Sequence, residues 1–266
     1  MASFGKVSSV TQKGLYEPFE LQVARGQIAL HQSFQVFGYN PDIDTSEESI
    51  WPNGGTVPHP TVASVLKISS SSANDASAGT GARTVYIAGV DANFDEVGES
   101  VTLNGTTAVN TTNSYLYVNQ FYVVTVGSGG VNAGDINAGT GTVTDGVPAV
   151  LYDMIATGFN QRTTAHYCVP AGYTGYLTKG VITVGQATGS TAVTAYLKQH
   201  GPDNILRVGA VSTLNNGSVA YDFEYPYVVP EKNCVGASAI GVAANNSASA
   251  FFNIVLIRNS YEVGNT

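Results

Sequence analysis

The chain has 266 residues, which is room for two small domains. Charged residues make up only 11%, against about 25% in an ordinary globular protein, while the hydrophobic share of 43% is close to normal. That balance excludes a disordered polyelectrolyte. A net charge of −8, with eleven Lys and Arg residues that form no run, excludes a groove built to neutralise phosphates.

The residues in excess are Val, Thr, Tyr, Gly, Ser and Asn, which suit strands and turns; Lys and Glu, common helix formers, are scarce. The composition therefore predicts an all-β protein. The opening "MASFGKVSSVTQKG" lacks the apolar core of a signal peptide, and no run is long enough to span a membrane. The expectation is a protein made in a cytoplasm, with no membrane partner.

Residues 1 to about 25 show no clear period. A strand is predicted next, with Phe34, Val36 and Gly38 facing one way and Gln35 and Phe37 the other. Residues 41–60 hold four prolines, a Gly-Gly pair and four acidic residues, and read as a long loop that Trp51, the only tryptophan, anchors to a core or a neighbouring subunit. Residues 1–60 thus form an expected N-terminal arm and loop.

From residue 61 the strand signals become regular. Val62, Val65, Leu66 and Ile68 mark one strand, Val85 and Ile87 share a face of another, and Val101 and Leu103 share a face of a third. "SYLYVNQFYVVTV" reads as one long strand, and "GDINAGTGTVT" as a hairpin-like pair. "TDGVPAV" is the expected boundary between a first β-sandwich over 61–146 and a second over 147–266, each of jelly-roll or immunoglobulin-like type. Six to eight strands are expected in the second. Its last strand has Phe252, Ile254 and Leu256 against Phe251, Val255 and Ile257, apolar on both faces, so it should be central in a sheet.

Candidate chemistry is sparse. Asp91, Asn93 and Asp95 stand at alternate positions, as oxygen ligands of calcium do, but Glu96 and Thr102 occupy the places where a calcium loop of the helix-loop-helix kind needs Gly and Glu. A hairpin turn over 91–96 explains the segment more simply. His31, His59, His166 and His200 are far apart, with no nucleophile elbow and no zinc-protease motif, and read as surface or satisfied core histidines. Cys168 and Cys234 read as two small buried hydrophobes or as a disulfide, an alternative that the sequence leaves open, and no Cys/His spacing points to zinc. The Gly-rich stretches precede no helix and so are turns, not phosphate loops. No catalytic residue, cofactor or metal site is expected. Fifteen tyrosines suit sheet packing or subunit contact, Tyr225 and Tyr227 lying in the cluster "YDFEYPYVV".

"EPFELQVARGQI", "FGYNPDI", "IWPNGG", the long phrase running from "SANDASAGTGARTVYIAGVDANFDEVGESVTLNG" to "NAGDI", and "HYCVPAGYTGYLTKG" together resemble a family of virion structural proteins of tailed bacteriophages, marine and cyanobacterial ones above all. The resemblance spans residues 17–259. It implies a particle component without enzymatic activity: a capsid decoration (cement) protein or head-fibre knob that bridges shell subunits. Its partners would be the major capsid protein or other virion proteins, and it would act as a homo-oligomer, with a trimer favoured by analogy. Trp51, Tyr39, Phe37, Tyr225 and Tyr227 are the candidate interface residues. The alternative is a tail or neck adaptor or host-recognition component. A carbohydrate-binding or hydrolytic sandwich is a third reading.

Overall fold

The computed structural model describes residues 17–186, 192–203 and 205–259. One turn and a half of helix, α1 (Phe19–Ala24), follows Pro18, whose fixed φ suits a helix entry. All else that is regular is strand: β1 (His31–Ile43), β2 (Glu48–Ser49), β3 (Ser64–Ser70), β4 (Ala82–Val90), β5 (Glu96–Thr102), β6 (Val109–Tyr115), β7 (Tyr117–Val126), β8 (Ile136–Thr144) and β9 (Val147–Ile155) come first. Then follow β10 (His166–Cys168), β11 (Tyr173–Gln186), β12 (Val193–His200), β13 (Arg207–Leu214), β14 (Gly217–Val229), β15 (Cys234–Gly241) and β16 (Asn246–Arg258). The protein is all-β, as its composition predicts.

The strands form four antiparallel sheets around two main apolar clusters. Sheets β6-β3-β8-β9 and β5-β4-β7 share a cluster that includes Leu66, Ile68, Val85, Ile87, Tyr115 and Phe121. Sheets β1-β16-β11-β14 and β10-β15-β12-β13, with β2 beside β15, share the other, which includes Val36, Tyr167, Leu177, Leu197, Phe252 and Ile254. The expected faces hold: Val85 with Ile87, and Val101 with Leu103, point inward. β16 is central, between β1 and β11, and alternates buried and half-buried along its length because both its faces are covered.

Four expectations need correction. Residues 31–43 are not part of an arm. As β1 they pair with β16 from His31↔Ile257 to Ile43↔Asn246, since Val36, Gly38 and Asn40 alternate inward. A boundary at 146/147 falls in the tight β8–β9 turn, between strands of one sheet; the chain passes to the second core after β2 and returns to the first between β9 and β10. "SYLYVNQFYVVTV" is not one strand. The chain leaves one sheet after Tyr115 and enters another at Tyr117, with the Leu116 N–H bonded to the Val90 carbonyl at 2.8 Å. Likewise "INAGTGTVT" is the single strand β8, whose hairpin partner is β9.

The two groups of sheets meet at a buried polar junction. The Arg162 guanidinium pairs with buried Asp153 of β9 and donates to the carbonyls of Asn119 on β7, at 2.7 Å, and His166 on β10, at 3.2 Å. Asn119 then ties its amide to both the carbonyl and the N–H of Cys168, at 2.8 and 2.9 Å. Burial raises the Asp153 carboxyl against the pull of Arg162. An ion pair so buried fixes which groups meet more than it stabilises the fold.

Candidate functional site

Side chains alternate across a sheet, so one face of β10-β15-β12 lines the core while the other faces away. Tyr167, Val235 and Leu197 point to the core. Their neighbours His166 and Cys168 on β10, Cys234 on β15 and His200 on β12 share the opposite face. The register brings these four together: Cys168 lies opposite Cys234, Cys234 opposite His200, and His166 opposite Gly236. Cys168 and Cys234 form a disulfide, which settles the alternative left open by the sequence. It closes 66 residues of chain, worth on the order of 4 kcal/mol of unfolded-state entropy.

Aromatic rings cover this face. Tyr117, at the start of β7, stacks with His59 at 4.7 Å between centroids and with His166 at 5.7 Å. His200 lies 6.1 Å from both His59 and His166. Three of the four histidines, widely separated in sequence, therefore stand in one cluster. A ring nitrogen of His166, a ring nitrogen of His200 and Sγ of Cys234 lie within 4.8 Å of one another. Burial pushes the His166 imidazole well below its ordinary value, helped by His200, Arg162 and His59. Burial also lowers His59 and His200, the latter against the pull of Asp203. Burial thus disfavours the charged form of all three rings.

An open cleft of about 530 Å³ reaches the cluster from solvent; its walls include His59, His166, His200, Gly236 and the Glu47–Lys198 ion pair. Burial acts to raise the Glu47 carboxyl, but Lys198 and Ser238 outweigh it and hold the group below its usual range.

The predicted interface residues divide. Trp51 is 1% exposed, and its indole N–H donates within the chain to the carbonyls of Gly54, at 2.7 Å, and Gly55, at 3.1 Å. It is buried within the chain and anchors its own loop. Tyr39 and Tyr227 are half-buried, and Tyr227 packs on Phe223. Phe37 is exposed, and Tyr225 is 85% exposed. Within residues 205–228, Ile205, Leu206, Val208, Val211 and Val228 are also exposed. These apolar positions lie on and before β13 and on β14, two strands in different sheets joined by a turn at Asn216.

The turn at 91–96 is a hairpin end, as expected. Asp91 Oδ1 accepts the N–H groups of Asn93, at 2.8 Å, and Asp95, at 3.0 Å, and Val90 pairs with Glu96. Phe94, with φ of +68°, carries the turn onto Tyr117. The histidine cluster is what sequence reasoning missed. Its one local signal is His-x-Cys at 166–168, since residues i and i+2 of a strand share a face.

No family model matches the chain, and no curated protein matches it. Among solved structures it is similar to the VP2 subviral particle of infectious bursal disease virus, at 10% identity and a TM-score of 0.23, over 87% of this chain and 73% of that one. It is similar also to the Gx strain of that virus, at 11% identity and a TM-score of 0.23, over 92% and 78%. The T13 viral particle follows at 8% and 0.21, over 86% and 74%. Likenesses this weak relate neither fold nor function.

Proposed function

We propose that this protein is a virion structural component without enzymatic activity, a capsid decoration (cement) protein or head-fibre knob that bridges shell subunits. The observation that carries the reading is the number of exposed apolar side chains between residues 205 and 228, where Tyr225 and five aliphatic side chains stand about half exposed or more. Exposed aromatic and aliphatic side chains are what a subunit contact uses. Each pair of sheets with its shared core acts as one rigid β-sandwich, and the buried Arg162–Asp153 junction holds the two together. Residues 1–16 of the expected arm lie outside the described residues. The partners are the major capsid protein or other virion proteins and further copies of this chain, as a trimer in the favoured form.

The test is the copy number of this chain in purified particles, by quantitative mass spectrometry against the major capsid protein. The reading expects a fixed ratio corresponding to hundreds of copies. Six to a few dozen copies would move it to the neck or tail, as an adaptor or host-recognition component. Absence from particles would end the virion reading.

A further inference from the structure

The disulfide and the histidine cluster occupy the same place, and together they make up a ligand set. Two thiolates and two imidazoles are the donors of a closed tetrahedral zinc site. Zinc bonds of about 2.3 Å to sulfur and 2.0 Å to nitrogen put such ligand atoms roughly 3.3–3.8 Å apart. Here His166, His200 and Cys234 already present theirs within 4.8 Å of one another. Cys168 is the fourth, its Sγ 3.9 Å from His166 Nε2. All four side chains stand on one face of three adjacent strands, fixed by the Cys168↔Cys234 and His200↔Cys234 pairings. Gly236 faces His166, and even a methyl group there would come 3.3 Å from the His166 ring, so glycine leaves that ring its place. The cleft supplies an entry path from solvent.

We propose that the reduced chain binds one zinc ion through Cys168, Cys234, His166 and His200, and that oxidation to the disulfide expels it. Reduction by a dithiol breaks the S–S bond. Two electrons and two protons pass to Cys168 and Cys234, and the dithiol becomes a disulfide. Zinc then displaces both thiol protons to solvent, and its two charges balance the two thiolates. In the reverse direction a disulfide oxidant takes two electrons from the thiolates, the Cys168–Cys234 bond forms, and zinc leaves by the cleft. Either state clasps β10 to β15, and the metal state also includes β12. Thiols stay reduced in a cytoplasm and pair outside it. The zinc form therefore suits assembly and the disulfide form suits the released particle. That placement rests on the virion reading, whereas the metal site does not.

The experiment uses the purified full-length chain, reduced with a phosphine and freed of metal. Zinc is titrated against a chromophoric chelator, and cobalt is added to a parallel sample. The expected result is one ion per chain, with the visible bands and thiolate-to-metal charge transfer of a tetrahedral cobalt site. The disulfide-bonded chain should bind neither ion stoichiometrically. H166N and H200N, which keep the disulfide-bonded fold by circular dichroism, should each weaken zinc binding by more than about tenfold after reduction. Should reduction alone unfold the chain, zinc is expected to refold it. Reduced protein that takes up no stoichiometric metal, or binds it equally well in the oxidised form or without either histidine, would overturn the proposal, as would an unfolded reduced chain that zinc does not restore. None of these outcomes depends on particle copy number.

Discussion

Trp51 shows how far one side chain can be read from sequence. A lone tryptophan in a Pro- and Gly-rich loop signals an anchor, and it is one, but the direction in which it points is set by the Gly54 and Gly55 carbonyls. Those acceptors exist only once the loop has closed, so nothing local announces them. Removing the ring leaves a void in a fully buried site. Trp51→Ala is expected to destabilise the chain by about 3–5 kcal/mol in denaturant unfolding without altering an exposed contact surface. The histidines act at the same scale. An unfolded imidazole titrates near pH 6.5. His166 and, to a lesser degree, His59 and His200 titrate lower in the fold. Below about pH 6.5 the unfolded chain therefore holds more protons, so stability is complete above that value and is lost as the pH falls. Thermal melts of the metal-free, disulfide-bonded protein should show a lower Tm at about pH 5 than at about pH 7, with a flatter profile in the H166N/H200N double variant. Equal Tm values across that window would contradict the burial assigned to these rings.

At the scale of elements, legibility followed alternation. β4 and β16 could be read because apolar residues recur at every second position of their inward faces. The β6–β7 break could not, because Tyr115 and Tyr117 keep the alternation across it while the chain changes sheets at Leu116. β1 was legible as a strand but not as part of a sheet with β16, whose residues lie some two hundred positions further along the chain. Register, a long-range property, is also what assembles Cys168, Cys234 and His200. Gly38 marks where β1 closes on its neighbours. A Cβ there would come 2.4 Å from Ala165 Cβ and 2.5 Å from the Ile50 carbonyl oxygen. Gly38→Ala is expected to cost about 1–3 kcal/mol, read as a lower denaturation midpoint with an unchanged slope. A neutral effect would mean that β1 does not approach β10 so closely.

For the molecule as a whole, the chain leaves one core after β2, builds the other from β3 to β9, and returns at β10. Composition was enough to predict strands throughout. It could not reveal that the core nearest the C-terminus begins with the N-terminal strand, because that closure depends on pairing across almost the whole sequence. A scaffold with two cores and a buried polar junction is suited to holding its exposed side chains in place, Tyr225 and the aliphatic residues between 205 and 228 among them. The most direct test is amide hydrogen exchange over residues 205–228, compared between the free chain and purified particles. The account predicts marked slowing in the particle at Val208, Val211, Tyr225 and Val228, with β4 and β5 unchanged. Exchange at those positions as fast in the particle as in the free chain would contradict the claim that these residues make the contact.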